Sequence, residues 1–456
     1  MIHFARSSHF VLRRASFVFA LAFVVATVAP PTCSAEEVIE KYPDGQKKIA
    51  YSTNAAGEKQ GPCEEFYPDG KRQSLASYLN GALHGPYVSH YPSGKFHVKS
   101  NYQKGELHGK FQELAEDGTP VKAANYRAGK LHGVYQEFAK KIAVKDEFWS
   151  DGKLLLPKSQ AQISTELTAI SKVAITTVGE FPAQEGRWKG RLEDAAQQKD
   201  REEGVRNLMG YRYLCDLPYK DITLDRTYIA HVEAGSDILK EIGKLEHTPA
   251  NPGWPDAEYK FAYKGTSSSN IHSGGGQMSS TVHGYMDDSD DNNIKAIGHR
   301  RWCLNPAMLK TGFGRSGSFG AMWSFDGSRK EIPDYDFVAF PPKGLIPTVS
   351  FHDNYAWSVT VNPKKYLQPK PDAVKVKVFP ARISSKTGDV EKLGSALETN
   401  FFKVDTAGYG VDNCIIFRPK GVQAAANSAY WVEISGLKTK SGEDATFEYF
   451  VAFFKL

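Results

Sequence analysis

The chain has 456 residues, 41% of them hydrophobic and 24% charged. This composition is ordinary for a soluble globular protein, and the length exceeds what one hydrophobic core organises, so about two to four domains are expected. With 57 Lys and Arg against 52 Asp and Glu, the balance gives no footing for a nucleic-acid partner, which calls for positive charge concentrated on one face.

Residues 1–35 have the layout of a secretory signal peptide. Arg6, Arg13 and Arg14 precede the apolar run Phe17 to Ala29, and Cys33-Ser34-Ala35 offers small residues for cleavage before Glu36. The run is too short and too early to anchor a mature protein, so no transmembrane segment is expected after cleavage. The chain should be exported, to the periplasm, the envelope or the medium. Cleavage removes three arginines and no acid, lowering the net charge of +5 by that amount. Cys63, Cys215, Cys303 and Cys414 remain in a compartment that permits disulfides. Cys215 and Cys303 fall in one region and are the disulfide candidates.

Residues 36–152 repeat at intervals of 24 residues: Leu83-His84-Gly85, Leu107-His108-Gly109 and Leu131-His132-Gly133, with Gly61 in the same phase. Tyr78, Tyr102 and Tyr126 keep that spacing, and Tyr67-Pro68-Asp69-Gly70 and Tyr91-Pro92-Ser93-Gly94 lie between them. Each unit predicts a β-hairpin with aromatic strands, and neighbouring hairpins must share a core because one alone cannot bury its rings. His84, His108 and His132 suggest a metal ladder, but identical repeat positions fit stacked turn residues better.

Residues 153–199 predict a partly helical linker, broken by Pro182. In residues 200–328, helices are expected from Glu202 to Leu217 and from Leu224 to Leu245. Tyr228, Val232, Gly235, Leu239 and Ile242 line one face of the second, with Asp221 or Thr223 as its cap. A Gly/Ser-rich stretch, Gly265 to Ser280, precedes the acidic run Asp287 to Asp291, and Asn292 or Asn293 should cap a short helix containing His299. Residues 329–456 alternate apolar and polar residues (Val374, Val376, Val378; Tyr430, Val432, Ile434; Phe447, Tyr449, Val451, Phe453) and predict a β-sandwich.

Two resemblances follow from these motifs. Gly298-His299-Arg300-Arg301 with Asn305-Pro306, the helix ending at His247, and Ser269-Asn270-Ile271 resemble the bacterial form of the CAP superfamily (cysteine-rich secretory, antigen 5 and pathogenesis-related, or SCP-like, proteins) over roughly residues 200 to 328. The repeats resemble MORN-type repeats. Together they imply a multidomain α+β chain: an N-terminal β-hairpin repeat sheet, a central α/β/α CAP-like sandwich and a C-terminal immunoglobulin-like β-sandwich.

In the CAP family a cleft gathers two histidines and one or two glutamates, and some members bind a divalent metal there. By position His247 and His299 match the histidines. Ser269 stands where the family glutamate falls, beside an intact Asn270. The resemblance therefore makes His247, Ser269, Asn270, His299 and Arg300 the cleft candidates, with zinc or another divalent metal on His247 and His299. Losing the carboxylate weakens that site, since zinc wants three or four protein ligands. Glu246, His272 or His283 could replace it. The bland alternatives are that His247 interacts with a helix end and that His299 is a core residue. Arg300 and Arg301 fit ion pairs with Asp287 or Asp291. No EF-hand register fits the acidic run. No Gly-x-Ser-x-Gly elbow surrounds Ser269; Ser316-Gly317-Ser318-Phe319-Gly320 fits a turn, and the sequence identifies no acid partner for a histidine.

The expected function is accordingly an exported, non-enzymatic binding protein of the envelope or extracellular space. Its cleft would take a small ligand, lipid, peptide or metal, while the repeat sheet docks on a protein, lipid or glycan partner. The alternatives are a metal- or histidine-dependent hydrolase of envelope polymers or peptides, and a purely structural scaffold.

Overall fold

A computed structural model describes residues 36–182 and 188–456. The expected signal peptide, residues 1–35, lies outside the described residues. The chain is a multidomain α+β protein that opens on a 12-stranded antiparallel sheet, from Glu36–Lys41 to Lys153–Leu156 in nearly sequential order.

The 24-residue repeat appears directly in the strand register. Gly61 pairs with Tyr78, Gly85 with Tyr102 and Gly109 with Tyr126. Gly85 falls in an irregularity between the pairs Ala76–Tyr87 and Tyr78–Leu83, at φ +98°. A bulge residue in that region of backbone space favours glycine, which explains its return in every unit. The turn tyrosines tie each unit to the next: Tyr42, Tyr67 and Tyr91 donate hydroxyl hydrogens to the carbonyls of Phe66, His90 and Leu114 at 2.7, 2.7 and 2.9 Å. The rings Tyr87–Tyr102 and Phe111–Tyr126 meet edge-on at 5.9 and 6.0 Å. Of the repeat histidines, His84 and His132 accept from the backbone N–H of Lys104 and Asp151 through Nδ1.

Seven helices follow among the described residues: α1 (Gln160–Ile170), α2 (Lys189–Leu192), α3 (Ala195–Leu214), α4 (Arg226–Ile242), α5 (Asp256–Ser267), α6 (Thr281–Asp287) and α7 (Gly298–Cys303). The helix expected over 202–217 starts earlier and ends earlier, because Asp194 accepts from Gln197 N–H as its N-cap. The cap of α4 is Asp225, accepting from Thr227 and Tyr228, rather than Asp221 or Thr223. The stripe Tyr228, Val232, Leu239 and Ile242 packs on Ile271, Ala321 and Trp323 of an antiparallel sheet ordered Ser269–Ser273, Phe319–Trp323, Phe313–Ser316. The opposite side of α4 is buried too, through Ile229, Ala230, Ala234 and Ile238. Gly235 and Gly265 let α4 and α5 cross in contact: a Cβ on Gly265 would lie 1.8 Å from His231 O. Residues 153–199 are no free linker, since Thr177–Val178 joins Thr223–Asp225 and Lys310–Thr311 in a small parallel sheet.

The C-terminal region holds a four-stranded and a five-stranded sheet, with the alternating Tyr430, Val432, Ile434 and Phe447, Tyr449, Val451, Phe453 buried as expected. One apolar core runs without a break from Leu208, Met209 and Phe313 of the helical region to Trp357, Val432 and Tyr449. Arg300 strengthens that junction. It is fully buried and donates to Met286 O and Ala356 O at 2.7 Å each and to Ser358 Oγ at 3.2 Å, with Asp287 O also accepting. Arg301 pairs with Asp405 and donates to Ala407 O and Val411 O. The expected ion pairs with Asp287 or Asp291 are thus replaced: Arg300 uses the Asp287 backbone, and Arg301 finds its acid in the other sheet. At the far end Leu155 packs on Ala381, Trp431 and Phe450, and Arg127 bridges Asp151 to Asp389. Cys215 and Cys303, the disulfide candidates, are separate buried thiols, as are Cys63 and Cys414. No helix among the described residues is long and apolar enough to cross a membrane.

Two outcomes follow. Gly265→Ala should destabilise by about 1–3 kcal/mol or more through overpacking, whereas Gly284→Ala, with open space at its Cβ, should be neutral or mildly stabilising; thermal melts of the full chain compare them. Residues 200–328 expressed alone should show no cooperative melting transition by circular dichroism, because they share one continuous apolar core with residues beyond 328.

Candidate functional site

The strand Ser269–Ser273, the loop after it, α6, the acidic turn and α7 enclose a cleft of about 580 Å³. His247 and His299 both line it, as do Leu245, Ile271, His272, Gly274–Gly276, Tyr285, Asp288 and Asp290. That size is typical of small-ligand sites.

Each cleft imidazole is held through Nδ1. His247 sits just past the left-handed Gly243 that ends α4, and its Nδ1–H donates to Thr266 O at 3.1 Å. His299 Nδ1–H donates to Asp288 Oδ1 at 2.8 Å. His272 Nδ1 lies 2.8 Å from Tyr285 Oη, which gives its single proton to Asn270 O at 3.0 Å. His272 must therefore carry its hydrogen on Nδ1. His247 and His299 thus leave Nε2 without a protein partner among the described residues, the arrangement that orients an imidazole for a ligand, whereas the Nε2 edge of His272 lies against Gly320.

Asp288 organises this end of the cleft. It is 3% exposed, adopts φ +47° after α6, and besides the imidazole accepts from His299 N–H at 2.9 Å and Arg300 N–H at 3.4 Å. It is the carboxylate that satisfies the start of α7, and Asn292 and Asn293 are not. Ile297, just before α7, has φ +43° and is fully buried beside Ile294, Ala356 and Ile416. A β-branched residue in that conformation costs about 1–3 kcal/mol and persists only where its surroundings over-determine it.

The other candidates take different places. Ser269 is 2% exposed with no partner for Oγ, and strand alternation puts it on the face of Ile271 that packs on α4. It does not line the cleft, and a carboxylate at this position would be buried under α4. Asn270, 1% exposed, donates to His299 O at 3.0 Å and to Cys303 Sγ at 3.6 Å, fixing α7 to the strand. Arg300 points away into the C-terminal sheet, so it is a clamp and not a cleft ligand. Of the expected replacements His272 lines the cleft, whereas Glu246 and His283 do not; His283 instead faces Tyr211 Oη at 2.8 Å. Sequence reasoning missed Asp288. The acidic run was visible, but only the turn selects which carboxylate reaches His299.

Among the described residues a single group of three His, Cys, Asp or Glu ligand atoms comes within 4.8 Å of one another: His132, Asp151 and Asp389. Those atoms already have partners, since Arg127 bridges both carboxylates and His132 contacts Asp151 N–H and Thr387 O. The cleft gathers no such group, so His247 and His299 would need solvent ligands to hold zinc. No family model matches the chain, and no curated protein is significantly similar to it.

Burial, helped by Arg315 and His299, holds the His272 pKa down to about 4 from its ordinary 6.5. A depressed histidine favours folding only while neutral. Stability from this residue is therefore full above pH 6.5 and falls by up to about 3 kcal/mol as pH drops toward 4. His272→Gln should flatten that acid limb in urea denaturation at several pH values; an unchanged slope would remove His272 from the account.

Proposed function

We propose that the chain is an exported, non-enzymatic binding protein of the cell envelope or extracellular space. In this reading MORN-type repeats form a docking sheet for a protein, lipid or glycan partner. A CAP-like central unit carries the ligand cleft, and an immunoglobulin-like sandwich supports it from behind. The observation that carries the reading is the cleft itself: His247 and His299, far apart in sequence, line one cavity with both Nδ1 atoms committed to the protein. The pre-set imidazoles and the open mouth favour reversible binding of a small ligand or peptide.

The hydrolase reading keeps one specific support. Asp288 and His299 form a carboxylate–imidazole pair at 2.8 Å, the geometry of a general base. Such a base could activate water, with or without a metal.

The test uses the full chain and a His247→Gln/His299→Gln double variant, melted with and without zinc. With only two imidazoles available, zinc is expected to leave the melting temperature unchanged. A zinc-dependent rise lost in the double variant would overturn the metal-free reading and direct effort to hydrolase assays. The same pair is then screened by NMR against peptides, oligosaccharides and lipids. Shifts at cleft amides in the wild type alone support binding; a variant with identical behaviour throughout would make the histidines structural.

A further inference from the structure

The strand Ser269–Ser273 is the outer member of its three-stranded sheet, and its end at Ile271–Ser273 borders the cleft. The phase of its hydrogen bonds decides which backbone groups are free. Ser324 N–H donates to Ser268 O at 3.1 Å and Gly274 N–H donates to Ser318 O at 2.8 Å. In an antiparallel ladder bonded residues alternate, so the even-numbered residues from 268 to 274 face the neighbouring strand. The N–H and C=O of Ser269, Ile271 and Ser273 therefore point outward. Among the described residues none of these groups has a hydrogen-bond partner.

Ile271, His272 and Ser273 line the cleft, so this stretch of unpaired edge is part of its wall. Unpaired strand backbone is a template for another strand, and peptide recognition by strand addition uses such an edge. The charge of the lining narrows the occupant further. Asp288 and Asp290 border the cavity, and no lysine or arginine does. With no lysine or arginine in the lining to offset these carboxylates an anionic ligand is disfavoured, and Leu245, Ile271 and Tyr285 are too few apolar groups to cover a lipid chain. Basic side chains complement the acidic rim, and the Nε2 atoms of His247 and His299 can accept hydrogen bonds from them.

We propose that the cleft binds an extended peptide segment carrying basic side chains, which adds as a fourth strand along Ile271–Ser273. The backbone groups of Ile271 and Ser273 supply affinity and register; the exposed carboxylate of Asp290 supplies selectivity. This inference rests on the ligand-binding reading of the cleft and deepens it.

The probe is an acetylated, amidated Lys-Val-Lys-Val-Lys pentapeptide, titrated into the full chain beside its Glu-Val-Glu-Val-Glu counterpart. The lysine peptide is expected to bind, the glutamate peptide to bind at least tenfold more weakly at low salt, and amide hydrogen exchange at Ile271 and Ser273 to slow on binding. Methylating alternate peptide nitrogens should abolish binding in one phase and spare it in the other. Ser273→Pro removes one outward donor at an exposed position that an edge strand tolerates. It should weaken binding about threefold to tenfold, the share of one hydrogen bond, with little change in melting temperature. Binding with unchanged exchange at Ile271 and Ser273, or equal binding by both methylated peptides, would overturn strand addition. If no peptide binds but an oligosaccharide or zinc perturbs the His247 and His299 resonances, this inference falls and the binding reading stands. If nothing perturbs the cleft, both fall.

Discussion

The cleft depends on how one buried charge is solvated. Arg300 is fully buried and among the described residues has no carboxylate partner of its own; its guanidinium is surrounded by backbone carbonyls and serine hydroxyls from two regions of the chain. A guanidinium taken out of water costs several kcal/mol unless its donors are met, so these acceptors cannot drift apart. Two of them, Met286 O and Asp287 O, belong to the turn that carries Asp288. Ala356 O and Ser358 Oγ belong to the C-terminal sheet. Ser289 Oγ completes the seam by accepting from Ala356 N–H at 2.8 Å. The sheet thus sets the position of the turn, and the turn sets His299. Arg212 does comparable work on the other side of α7. Also fully buried, it donates to the carbonyls of Pro218, Cys303 and Asn305, and burial draws its pKa down to about 9.

This wiring gives the cleft an arrangement that exists before any ligand arrives. Asp288 is saturated by the imidazole and two backbone amides, Asn270 holds α7 by its carbonyl, and Ile297 is pinned in an unfavourable conformation by the sheet behind it. Groups held this firmly lose little entropy on binding, which is the physical content of preorganisation. The loop from Gly274 to Gly276 is the soft counterpart: its glycines present backbone and no side chain to the cavity.

Much of this was legible in the sequence, and the limits have physical causes. The 24-residue period located every hairpin because turn chemistry is local: a glycine at a bulge and a tyrosine tied to the next unit must recur in each repeat. The stripe of α4 named the face on the antiparallel sheet because helical spacing and burial share one period. It could not reveal that the opposite face is also buried, since Glu233 there looks solvent-facing until Arg191 and Arg201 are seen to neutralise it at 2.9 and 2.7 Å. His247 and His299 were placed together by motif. The remaining site residues depend on tertiary detail that no spacing encodes. Four aspartates in the acidic run were equivalent on paper, and a left-handed turn at one of them chose Asp288. Ser269 matched a motif position, yet strand alternation sends its side chain away from the cavity. Arg300 was placed in the cleft by adjacency to His299, although residues adjacent on a short helix point in different directions. Cys215 and Cys303 shared a region without meeting, because being in the same region does not set the separation of two side chains.

The chain treats its strand edges in three different ways, and the contrast bears on the cleft. The first strand of the repeat sheet, Glu36–Lys41, carries three glutamates and a lysine and is almost wholly exposed, so charge guards it against pairing. The last, Lys153–Leu156, is covered, with Leu155 packed on Trp431 and Phe450. Ser269–Ser273 is short and uncharged; Ser269 to Ile271 are buried, and the strand reaches the surface only at Ser273, where it borders the cleft. An unpaired backbone group that is partly shielded from water loses solvation without gaining a partner. Natural folds leave such an edge open only where recess in a cavity keeps other chains from adding freely, or where adding a strand is the purpose. Here the recess coincides with the wall that carries His272. The geometry that stops indiscriminate pairing is also the geometry that would select one extended segment over others.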